Sequence, residues 1–116
     1  MDPTAPSYVY AATLDRVIDG DTFVLNVDLG FRINTHFKFR LLGVDAPELD
    51  TEEGKRAKTF AIDELSPRPL LVRTYKERRS FDRWVAEVFF ESADGFYHSF
   101  SEHLIEQGHA VRMAPR

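Results

Sequence analysis

The chain has 116 residues and no cysteine, which excludes a disulfide framework, a thiolate metal site and a thiol nucleophile. Fifteen Lys and Arg against nineteen Asp and Glu leave a net charge of −4 and a pI of about 5.5, so bulk charge does not drive nucleic-acid coating, although a local basic site remains open. With 43% hydrophobic and 29% charged residues, the composition is that of a globular domain with one core, and no apolar stretch reaches the ~20 residues of a membrane helix.

Residues 1–7 carry two prolines and no periodicity, and read as a flexible lead into a single domain over 8–116. They lack the basic start and apolar run of a signal peptide, so the default expectation is a cytoplasmic protein, a phage-encoded origin included. Tyr8 to Ile18 has the pattern of a strand, and Asp19-Gly20-Asp21 that of a tight turn. Phe23, Leu25, Val27 and Leu29 recur at every second position, the mark of a half-buried strand. Gly30 to Thr35 reads as the next turn. Phe37, Phe39 and Leu41 repeat the alternation with Lys38 and Arg40 on the other face, and Pro47 ends the ladder.

A helix is predicted from near Glu52, capped by Asp50 with Glu53 completing a capping box. Ala57, Phe60, Ala61 and Leu65 form its apolar stripe, and Ser66-Pro67 stops it. Leu70–Tyr75 reads as a short strand, Lys76–Ser80 as a charged loop, Arg83–Glu91 as another strand, and Asp94-Gly95 as a hairpin turn. A second helix follows over Phe100–Gln107, with a Ser99/Glu102 capping box and Gly108 as its stop, and Ala110-Val111 suits a last short strand. Three strands, a helix, two strands and a helix suggest a mainly β (α+β) fold, a five-stranded Greek-key barrel of the oligonucleotide-binding (OB) type.

Two segments place carboxylates at strand ends: Asp19-Gly20-Asp21-Thr22, and Arg40 to Glu48 with Asp45 between. Carboxylates brought together repel, and a cation resolves the repulsion. Without thiolates or paired histidines, that cation is a hard, oxygen-liking one, Ca²⁺ or Mg²⁺. Alone, Asp-Gly-Asp is more commonly only a turn, Asp45 and Glu48 could be helix-entry acids, and Arg40 a solvated strand residue.

Together, Val17-Ile18-Asp19-Gly20-Asp21-Thr22 and Phe39-Arg40-Leu41-Leu42-Gly43-Val44-Asp45-Ala46-Pro47-Glu48 resemble the signature of the staphylococcal nuclease-like (thermonuclease) family. The likeness continues through Phe81-Asp82-Arg83 and Glu102–Gly108. It implies an OB-type barrel and a Ca²⁺-dependent nuclease that hydrolyses DNA, RNA or both to 3′-phosphates. Carried over by position, Asp21, Asp45 and the Ala46 backbone carbonyl would hold Ca²⁺, with Asp19 reaching it through water. Glu48 would be the general base, and Arg40 and Arg83 would bind the scissile phosphate.

Two departures stand out. Ser80-Phe81-Asp82 replaces the family's basic residue, Tyr and Gly before Arg83, which sets an acid beside the phosphate site. The chain also lacks the family's base-stacking tyrosines near its C-terminus. Phe81, Tyr75 or Arg112 could substitute, at a stake of ~1–3 kcal/mol per stacked base. Lys76-Glu77-Arg78-Arg79 reads as a solvated hairpin tip or a phosphate-contacting loop, and Lys55, Arg56 and Lys58 as solvent-facing. Trp84 reads as core, and none of the four histidines as a ligand. The alternative function is a catalytically silent barrel binding nucleic acid or protein. Carbohydrate binding is a remote third, because fold alone does not imply function.

Overall fold

The computed structural model describes residues 7–66, 68–80 and 83–113, the side chains of 76–80 excepted. In chain order these form β1 (Val9–Asp19), β2 (Thr22–Asp28), β3 (Asn34–Leu41), β4 (Val44–Asp45), α1 (Glu52–Leu65), β5 (Leu70–Ser80), β6 (Arg83–Glu91), β7 (Tyr97–Ser99), α2 (Phe100–Glu106) and β8 (Val111–Arg112).

Five of these strands close a barrel. β2 pairs antiparallel with β1 and β3, β5 pairs antiparallel with β1 and β6, and β6 closes on β3 in parallel. The long β1 serves two neighbours because irregularities at Leu14/Arg16 and Val17/Asp19 let it bend. The OB-type barrel with two helices expected from the element order is the one observed.

The alternating residues fill its interior. Phe23, Leu25, Val27, Phe39, Leu41, Val72, Ala86 and Val88 are all buried. Ala57, Ala61 and Leu65 bury the small-residue face of α1, as its periodicity predicts. Phe100 opens α2 and seats it on the barrel, its ring edge-on to Phe23 at 5.7 Å and stacked on Phe60 at 6.2 Å. Ser99 caps α2 by accepting from the Glu102 N–H at 3.3 Å. Gly108 then takes the positive φ (78°) that a side chain would resist. Trp84 packs partly buried against the core.

Several local expectations are corrected. α1 is capped by Thr51, whose hydroxyl accepts from the Gly54 N–H at 3.0 Å, rather than by Asp50. The Thr51 hydroxyl also donates to the Glu48 carbonyl at 2.7 Å, which fixes the helix entry one residue later. Lys76–Ser80 continues β5 instead of forming a loop, with Arg79 opposite Trp84 and Ser80 opposite Arg83 after an irregularity. Charged residues are tolerated there because a ladder's backbone pairing does not depend on side-chain polarity. Leu29 lies beyond the end of β2 and is exposed, so the alternation outruns the strand. β4 and β7 are two or three residues long, too short for periodicity to reveal. The expected lead over 1–6, the Phe81-Asp82 tract and 114–116 lie outside the described residues.

Candidate nuclease centre

The turn between β1 and β2 brings Asp21 to one end of the barrel, where it is buried beside Thr22. Three groups hold its carboxylate. The Ala46 N–H donates to Oδ2 at 2.8 Å, the Thr22 hydroxyl donates to Oδ1 at 2.9 Å, and Arg40 Nη2 lies 3.4 Å from Oδ2. The same Arg40 nitrogen lies 3.3 Å from Asp45 Oδ1. Two carboxylates from opposite ends of the motif pair thus converge on one guanidinium corner.

The pairing is asymmetric. The Asp21 and Arg40 side chains retain 7% and 15% of their exposure, whereas Asp45 keeps 61%. Burial pushes the Asp21 carboxyl up to about 6, with the facing Asp19 carboxyl adding to the rise. The Ala46 N–H and Arg40 act in the opposite direction but do not cancel it. Asp19 also accepts from the Asp21 N–H at 3.1 Å, which closes the turn.

Arg40 is anchored from behind. Its Nη1 donates to the Leu41 and Val44 carbonyls at 3.0 and 2.8 Å, and its Nη2 contacts Met113 Sδ at 3.6 Å. The Asp45 segment is held by β8: Val44 and Asp45 pair with Arg112 and Val111, and the Met113 N–H donates to the Gly43 carbonyl at 2.9 Å. Helix α1 supports the acid turn from the other side. A Cβ at Gly20 would stand 2.8 Å from the Ala57 Cβ and 2.9 Å from the Ala46 Cβ, so only glycine permits this approach.

The expected residues therefore divide. Asp21, Asp45, Ala46 and Arg40 form one connected cluster, and Asp19 adjoins it. Ala46 meets the cluster through its N–H, donated to Asp21. Glu48 is exposed at the entry to α1, where its carbonyl is bound by Thr51. Arg83 is part-buried at the start of β6, and its Nε is buried without a hydrogen-bond partner among the described residues. Among the described residues, no three His, Cys, Asp or Glu side chains gather closely enough to hold a metal ion. The hard donors that converge here are the carboxylates of Asp21 and Asp45, a donor type that suits Ca²⁺ completed by water. A cavity of about 200 Å³ lies beside them, lined by Asp45, Ala46, Pro47, Gly108, His109 and neighbours.

Sequence reasoning missed two contributors. Thr22 was legible as a motif member, though not as a hydroxyl donor to Asp21. Met113 carries no signal, since its place depends on β8 folding back onto β4. No helix among the described residues is long and apolar enough to cross a membrane.

Residues 38–116 match the family described as staphylococcal nuclease homologue. That span includes Arg40, Asp45, Glu48 and Arg83, and begins after Asp19 and Asp21. The uncharacterized protein MJ1439 of Methanocaldococcus jannaschii is 28% identical over 126 residues, covering 87% of this chain and 58% of the relative. The chain thus spans less than two thirds of that relative's length. Since the family match takes in well over half of the chain, and the barrel is of the kind the motif order demands, the chain belongs to the staphylococcal nuclease homologue family.

Proposed function

We propose that this domain is a Ca²⁺-dependent nuclease that hydrolyses phosphodiester bonds of DNA, RNA or both and leaves 3′-phosphates. The observation that carries the reading is the convergence of buried Asp21 and exposed Asp45 on one point at the barrel end. Burial raises the Asp21 carboxyl, and a divalent cation beside it would favour its charged form.

Asp21, Asp45 and the Ala46 carbonyl would hold the ion, and Asp19 would meet it through water. When bound, Ca²⁺ supplies charge neutralisation at the phosphoryl oxygens. Glu48 is the residue to orient the attacking water and take its proton, and its exposure leaves it reachable. The water oxygen bonds to phosphorus, the P–O5′ bond breaks, and the departing 5′-oxygen takes up a proton. Arg40 and Arg83 are the donors for the charge that builds on the phosphoryl group. Their planar guanidinium forks suit two oxygens at once. For this role Arg40 Nη2 must exchange its acids for a phosphate oxygen, while Nη1 keeps its hold on Leu41 and Val44.

One observation favours a second reading, a silent nucleic-acid- or protein-binding barrel. Arg40 is already committed to two acids and two backbone carbonyls, an internally satisfied strut that needs no substrate. A plasmid and a labelled single-stranded RNA, each incubated with Ca²⁺ and with chelator, separate the two. Ca²⁺-dependent cleavage leaving 3′-phosphate ends supports the nuclease. Binding without cleavage at any Ca²⁺ concentration supports the silent barrel.

A further inference from the structure

The hairpin between β2 and β3 turns at Gly30 to Ile33, where the Ile33 N–H donates to the Gly30 carbonyl at 2.8 Å. Its central residues, Phe31 and Arg32, have φ of 55° and 61°, and Gly30 before them has 82°. Turns with positive φ at both central positions are ordinarily built from Asn-Gly, Asp-Gly or Gly-Gly, because larger side chains resist that backbone. A bulky aromatic residue is strained there, so the turn itself gives no reason for Phe31.

Solvent gives none either. Phe31 is 95% exposed, with the exposed Leu29 and Ile33 on either side of it in the chain. The knob is nevertheless held in one shape. The Leu29 N–H donates to the Ile33 carbonyl at 2.9 Å, and the Gly30 N–H donates to Asp28 Oδ1 at 2.8 Å. That second bond turns the one acid of residues 28–34 onto its own backbone. Arg32 is exposed and makes no ion pair or hydrogen bond among the described residues.

A rigid, fully exposed ring thus stands next to an unpaired guanidinium. These are the two contacts that a nucleotide asks for, an aromatic face for its base and a cation for its phosphate. A protein partner fits less well. The side chains of Leu29, Phe31 and Ile33 fall short of the roughly 800 Å² per partner that a stable protein interface buries.

We infer that Phe31 and Arg32 form a distal subsite for single-stranded nucleic acid, with a base stacked on the Phe31 ring and a phosphate taken by Arg32. The inference rests on the nucleic-acid reading above and deepens it with a second point of contact. β2 runs seven residues from beside Asp21 toward this tip. At about 3.3 Å per residue, the tip lies roughly 25 Å from the acid cluster. Barrels of the OB type cover about 4–16 nucleotides, enough for one strand to reach both places. A duplex, whose bases already stack on one another, offers no free face to Phe31.

The test is fluorescence anisotropy with a labelled oligothymidylate of about 15 nucleotides, within that range, in chelator so that no strand is cut. Phe31→Ala should weaken binding roughly 5- to 150-fold, the loss of one stacked base. Phe31→Trp should keep the affinity, and the emission it adds should be quenched by the strand. On an abasic strand of the same length, wild type and Phe31→Ala should bind alike, which separates stacking from loss of fold. Arg32→Gln should lower the slope of log K against log salt by about 0.7, one phosphate contact. Unchanged oligothymidylate binding by Phe31→Ala, or an equal loss on the abasic strand, overturns the distal subsite and leaves the nuclease reading intact. A wild-type dimer in sedimentation that Phe31→Ala dissolves also overturns it, by giving the tip to a second copy. Wild type that binds no strand and cleaves none overturns both.

Discussion

The backbone N–H of Ala46 donates to the carboxylate of Asp21 at 2.8 Å, joining two motifs that lie 25 residues apart. This bond holds the acid turn of β1–β2 against the segment entering α1. It also lowers the Asp21 carboxyl, against a larger upward push from burial. The balance leaves an acid raised from 3.8 to about 6 in the metal-free protein.

That shift predicts a pH dependence. A carboxyl raised on folding binds its proton more tightly in the native state than in the unfolded one. Its contribution to stability is therefore full below about 3.8 and is lost as pH rises through about 6. The effect is at most about 3 kcal/mol at about 1.4 kcal/mol per pH unit. Urea unfolding in chelator, with Asp21→Asn beside wild type, reads it. Wild type should lose stability relative to the variant between pH 4 and pH 7. Parallel pH profiles would show that burial does not perturb Asp21. Under the nuclease reading, calorimetry should find Ca²⁺ binding to wild type and none to Asp21→Asn.

Arg40→Lys should lower the cleavage rate at saturating substrate by at least about tenfold, ~1.4 kcal/mol. It should also cost about 1–3 kcal/mol of stability, because one ammonium cannot replace a fork that serves two carbonyls and two acids. Arg83→Lys should lower the rate likewise with little loss of stability. Single-turnover cleavage and denaturant unfolding measured on both variants check this. Equal stability losses would show that Arg83 also braces the fold.

Glu48→Gln removes a proton acceptor from an exposed position, so its thermal unfolding should match wild type. Its turnover should fall roughly 10²–10⁴-fold, the scale of a positioned general base. Wild-type turnover across the pH range would reduce Glu48 to an acid favoured at a helix entry.

Gly54→Ala tests the scaffold beneath Glu48. Alanine in a helix interior ordinarily gains roughly 0.5–1 kcal/mol over glycine. Here a Cβ would overlap the Glu48 carbonyl, a backbone group that Thr51 holds in place. Overpacking of this kind costs about 1–3 kcal/mol, so the clash wins. The variant should melt several degrees lower and, if Glu48 is the base, cleave more slowly even below its melting temperature. A higher melting temperature would mean that the α1 entry yields freely.

Much of the domain was legible because its signals are local. Strands announce themselves through a period of two, and α1 through the four-residue spacing of Ala57, Ala61 and Leu65. The exact spans Arg83–Glu91 and the Ser99 cap followed from β-branched density and a capping pair. The α1 cap was misread because Asp50 and Thr51 are both good capping residues. Only the Thr51 bond to the Glu48 carbonyl, made once the preceding segment is folded, decides between them. Lys76–Ser80 was misread because charge marks a loop only when no partner strand is present, and here β6 is that partner.

The sequence by itself determined the order of the strands, the stripe of α1, the absence of thiolate ligands and the residues that carry the family signature. Those properties reside in spacing along the chain. Tertiary structure alone decided that Asp21 is buried and Asp45 exposed, that Arg40 faces both while bound to Leu41 and Val44, and that β8 returns Met113 to the site. It also decided that Arg40 lies beside Val85, since parallel closure of β6 on β3 is a contact between strands more than forty residues apart. Burial and pairing at such distance arise from how the barrel closes, and no local pattern encodes them.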